Sequence, residues 1–177
     1  MSKKSKYLSE TLEIESQLLP DAGYGTYYCR LPLFTLLRLN NKGDSSTDAL
    51  TVKISSAEEG GQPGLIVTKE IEIDDIQPDS GVEINAGSVL NPKFLAELNE
   101  ITSRTVTVTV FSGKEEVLSV QNEVRCLPID CWPGLGASVE MLSTLVRPKL
   151  ADCRKILSEA ALQMQKWGYP SEWSGYS

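Results

Sequence analysis

Residues 125–136, RCLPIDCWPGLG, carry two of the chain's four cysteines, a tryptophan and its densest cluster of proline and glycine. Two close thiols can hold a zinc ion or cycle as a redox pair. A structural zinc site needs four ligands, with thiolates closely spaced. Here Cys126 and Cys131 stand apart from any second pair, and the chain contains no histidine to complete the set. A redox pair wants two intervening residues at a helix start, where the thiol pKa is depressed; the spacing here is longer. The residues fit a plainer reading: Cys126 continues the inward phase of a strand, Pro128 cannot extend a ladder, and Pro133, Gly134 and Gly136 turn the chain away.

Two further groups could do chemistry. Glu70, Glu72, Asp74, Asp75 and Asp79 form an acidic stretch, and calcium needs several converging oxygens. Alternation of Glu70 and Glu72 equally describes the solvated face of a strand. Tyr24, Tyr27 and Tyr28 lie beside the loop DAGYG, which could present them to a partner or pack them over the end of a sheet.

The absence of histidine also removes Ser-His-Asp and Cys-His nucleophile systems and any imidazole proton shuttle. No phosphate-cradling G-x-x-x-x-G-K-[ST] loop occurs. Net charge is −7, and it is uneven: residues 1–137 carry 12 Lys+Arg against 20 Asp+Glu, residues 138–177 carry 5 against 4. An acidic body repels phosphate backbones, so direct nucleic-acid binding by this segment is not expected. No cofactor and no catalytic or metal-binding residue is assigned.

The elements that must position these groups are mostly strands. Period-2 alternation marks residues 11–19, 31–41, 49–55, 65–73, 81–90, 104–113 and 117–127. In residues 31–41, Leu33, Leu37 and Leu39 share one face, while Phe34 and Leu36 take the other, as in a central strand. Lys69 interrupts the inward row of residues 65–73, which suits an edge. Val106, Val108 and Val110 face inward and Thr105, Thr107 and Thr109 outward. Residues 91–100 read as a short helix with Asn91 as cap and Pro92 in its first turn. Seven short strands at this spacing predict a mainly β fold, a seven-stranded antiparallel immunoglobulin or fibronectin-like sandwich. A C-terminal helical segment follows.

That segment begins with a short helix over 138–146 and continues with a longer one from Pro148 to about Trp167. Leu150, Cys153, Leu157, Ala160, Met164 and Trp167 form a single stripe on it, too short for a coiled coil. The expected division is a flexible N-terminus at 1–10, a sandwich at 11–134, a helical appendage at 135–168 and a tail or linker at 169–177. No export signal or spanning segment is evident, so a cytoplasmic location without membrane contact is expected, with mostly reduced thiols.

Several short stretches together resemble the N-terminal region of very large bacterial helicase-related proteins. They are LLRLNNKG (36–43), FLAELNE (94–100), DCWPG (130–134), STLVRPKLADCRKIL (143–157) and GYS (175–177). RPKL departs from the polar residue that family places after its proline. The resemblance implies an immunoglobulin-like sandwich and short helices preceding transglutaminase-like, superfamily I helicase and nuclease-like regions, with the catalytic residues in those later regions. The chain is then expected to be a non-enzymatic N-terminal module that docks to downstream domains of its own protein or to another protein. The stripe residues Leu150, Leu157, Met164 and Trp167 and the tyrosines Tyr24, Tyr27 and Tyr28 are its candidate surface. A ligand- or calcium-binding sandwich is the alternative.

Overall fold

The computed structural model describes residues 4–8, 11–131 and 151–168. Nine strands and three helices lie among them, in the order β1 (Lys4–Leu8), β2 (Leu12–Leu18), β3 (Asp21–Gly23), α1 (Tyr24–Tyr28), β4 (Phe34–Asn41), β5 (Leu50–Ser56), β6 (Lys69–Ile73), β7 (Gly81–Glu83), α2 (Pro92–Glu97), β8 (Thr102–Ser112), β9 (Glu115–Leu127) and α3 (Ala151–Lys166). The strands form two sheets, one ordered β1-β2-β4-β7 and the other β3-β9-β8-β5-β6. The fold is thus mainly β with a C-terminal helix.

The core lies between the sheets. Ile14, Leu37 and Leu39 face it from the four-stranded sheet, and Val52, Ile54, Val106, Val108, Val110, Val120 and Val124 from the five-stranded one, all buried. Phe94 and Leu95 of α2 belong to the same core. Alternation puts the three valines of β8 inward because successive side chains of a strand point to opposite faces. Burial of each contributes about 1.5–3 kcal/mol.

Hairpin β8-β9 turns on Gly113, whose φ of 58° is a conformation that a side chain disfavours. Asn91 caps α2 by accepting a hydrogen bond from the Lys93 amide, and Pro92 fills the first turn where no N–H is needed. These elements agree with the sequence reading, as do the edge position of β6 and the internal position of β4.

Four expectations are corrected. Residues 4–8, placed in a flexible N-terminus, pair as an antiparallel edge strand with β2. Phe34, assigned to the face opposite Leu37, is buried with it: the register of β2 on β4 shifts between Gln17 and Leu18, so Thr35 is an extra residue and Phe34 returns to the inward phase. The stretches 65–73 and 81–90 keep ladder pairing only over β6 and β7, because Val67 and Ile66 bond across to Val89 and Leu90 instead of extending either sheet. Finally, the arrangement is not all antiparallel. After β2 the chain crosses to the other sheet, and β3 runs parallel to β9.

The helix expected at 138–146 lies outside the described residues, as do the 169–177 tail, Leu150 and Trp132. Of the longer helix, α3 is described, and it ends where Gly168 takes φ of 80°, the usual left-handed stop.

Candidate interaction surface

Strand β3 and helix α1 bring the tyrosines to one end of the five-stranded sheet. Gly23 pairs with Leu127, the last residue of β9, and a Cβ on Gly23 would stand 3.3 Å from the Leu127 carbonyl oxygen. A side chain there would fit only if β9 gave by a few tenths of an ångström. The Gly23 amide donates to Thr26 Oγ1, buried beneath the first turn of α1. A helix of five residues has little intrinsic stability; packing holds it. Tyr24 and Tyr27 lie half-buried against the core with ring centroids 6.0 Å apart, whereas Tyr28 is 67 % exposed. Two of the three predicted tyrosines therefore close the sheet end, and one reaches solvent.

The pairing registers bring other exposed apolar side chains to the same end. Thr102 pairs with Cys126, so Ile101, 57 % exposed, sits just past the end of β8 beside the terminus of β9. Val67, 55 % exposed, precedes β6 on that side, since Lys69 pairs with Ile54 near the end of β5. Sequence reasoning missed Ile101, and the period-2 reading of residues 65–73, which puts Val67 in the inward row with Ile71 and Ile73, is corrected at Val67 because the chain leaves the ladder before β6 begins. Ile101 breaks the alternation of the strand that follows it, and that was the available signal.

Arg104 ties this end together. In phase with the inward valines, it places its guanidinium 5.2 Å from the centroid of the Phe94 ring, 3.4 Å from Glu59 Oε2, and donates to Gln62 Oε1 and Thr102 Oγ1. A charge at a core-facing position persists because it is paired and hydrogen-bonded.

The cysteine stretch is structural as far as it is described. Cys126 is fully buried, and burial pushes its thiol up to about 11, with nearby Arg104 acting weakly in the opposite direction. A protonated, enclosed thiol is a poor nucleophile and a poor metal ligand. Leu127 and Pro128 follow into the interior, and the Cys131 amide closes a turn on the Pro128 carbonyl.

Of the stripe residues, Leu157 lies on α3, Met164 is half-buried and Trp167 is 71 % exposed. Ala160, on the predicted stripe, and Ala161 beside it are also partly covered. Leu162, 59 % exposed, lies off the stripe and was not foreseen.

The acidic stretch borders a seam between the edges of the two sheets. At one end the seam is closed by Lys69 Nζ donating to the Ala86 carbonyl at 2.7 Å. At the other, β6 and β7 diverge around a cavity of about 340 Å3 lined by Ile73, Ile76 and Val82 together with Glu72, Asp74 and Asp75. Glu70 pairs with Lys53, and Glu72 accepts from Thr51, across β6 and β5. Among the described residues, no three His, Cys, Asp or Glu side chains come together in a way that could hold a metal ion.

No protein-family model matches the chain, and no curated protein matches it. The solved structures that are similar in part include a Bacteroides fragilis protein assigned as a beta-galactosidase, at a TM-score of 0.40 and 12 % identity, covering 69 % of this chain and 15 % of the other. The chain thus spans a small part of that protein's length, and a likeness at this level carries no argument about either fold or activity. No described helix is long and apolar enough to cross a membrane.

Proposed function

We propose that this chain is a non-catalytic interaction module with an immunoglobulin-like sandwich, which docks to downstream domains of its own protein or to another protein. The observation that carries the reading is the placement of exposed apolar groups. Tyr28, Val67 and Ile101 share one end of the five-stranded sheet, the end at which β9 finishes. Helix α3 adds Leu162 and Trp167. Exposed aromatic and aliphatic anchors are what interfaces use.

Three of the four sheet edges, those of β3, β6 and β7, are less suited to docking. β3 and β7 are three residues long, and β6 carries Lys69, Glu70 and Glu72. Short and charged edges discourage an added strand.

Strand order supports the immunoglobulin-like reading. β2, β4 and β7 correspond to A, B and E of one sheet, and β6, β5, β8 and β9 to C′, C, F and G of the other. β1 is an addition, and no described strand takes the D position. The helicase-related setting rests on the resemblance of the short stretches given above.

Sedimentation velocity of the purified chain, alone and with any polypeptide that its reading frame proves to encode beyond Ser177, tests the module. Association that Trp167→Ser or Ile101→Ser weakens supports it. No association with that polypeptide, with itself or with any captured protein sinks the docking reading. Turnover of a nucleotide, peptide or glycan by the chain alone ends the non-catalytic one.

A second reading, a ligand- or calcium-binding sandwich, draws on the cavity between β6 and β7 for a small ligand; its calcium form has no described cluster of three acidic side chains behind it. Calcium-dependent melting, abolished by Glu72→Gln with Asp74→Asn, would support it; a melting temperature indifferent to calcium removes the ion.

A further inference from the structure

We draw no further inference here: the strongest candidate, the cavity between the β6 and β7 edges with Glu72, Asp74 and Asp75 around it, belongs to the site already described, and its acidic cluster has beside it no second feature that points to a ligand.

Discussion

Arg125 donates from Nε to Asp21 Oδ1 across the parallel pairing of β9 and β3, joining positions 104 residues apart in the chain. The contact holds the guanidinium pKa above its ordinary value, through the hydrogen bond first and the charge of Asp21 second. Arg125 is more than half exposed, so solvent screens the attraction and its effect on global stability is small. Its consequence is local: it fastens the short strand that carries α1 and Tyr28.

Arg125→Met is therefore expected to leave the denaturation midpoint almost unchanged while speeding amide exchange at Ala22 and Gly23 severalfold. Exchange measured residue by residue checks this. Equal protection in both proteins would show that the pair does not hold β3.

Asn41 is a different kind of joint. Its side chain is buried, donates to the Ser45 and Ile76 carbonyls at 2.7 and 2.9 Å, and accepts from the Gly43 amide at 2.9 Å. Asn41→Asp keeps the shape but removes both donations and places a charge beside two carbonyls. A loss of about 3 kcal/mol is expected, since buried groups left without partners cost roughly 1–3 kcal/mol each. Urea denaturation measures it. Asn41→Gln should also fail to restore the bonds, because the longer side chain misplaces the amide.

Ser16 predicts the opposite sign. It faces the core from β2 with Leu12, Ile14 and Leu18, is fully buried, and its Oγ has no hydrogen-bond partner among the described residues. An unpaired hydroxyl in an apolar setting costs about 1–3 kcal/mol. Ser16→Ala should raise stability by about 1 kcal/mol, seen as a higher urea midpoint at unchanged slope; a fall of that size would mean the hydroxyl is satisfied in solution.

Cys126 ties stability to pH. Its folded pKa is raised to about 11 because burial disfavours the thiolate, whereas an unfolded cysteine ionises at roughly 8.5. Between those values the unfolded chain has released a proton that the folded chain retains, so stability falls as pH rises. The thiol's contribution is complete below roughly pH 8.5 and declines up to about 11. Cys126→Ala removes this decline while costing stability at neutral pH through the space left behind. Comparing the two proteins at pH 7 and pH 10 isolates the effect. In native protein at pH 8, an aromatic disulfide reagent should modify Cys126 far more slowly than Cys131, which is partly exposed.

Much of this molecule was legible in local patterning. The alternation of Val106, Val108 and Val110, the Asn91-Pro92 cap, the edge character of Lys69 and the inward phase of Cys126 all follow from residue type and spacing. Backbone geometry alone converts period into face in these segments. The tyrosine site was half legible: sequence located the three rings together, but only packing decided that two seal a sheet end and one is free.

What sequence by itself determined is a strand-rich acidic body without histidine chemistry, followed by a helix with an apolar stripe. Three things were decided only in three dimensions. The crossing of the leading strand from one sheet to the other makes β3 parallel to β9, and it depends on contacts between segments a hundred residues apart. The extra residue Thr35 turns Phe34 inward, because register is set by the partner strand and not by the strand's own period. The gathering of Tyr28, Val67 and Ile101 at one end comes from pairing registers among five strands, which no local window contains.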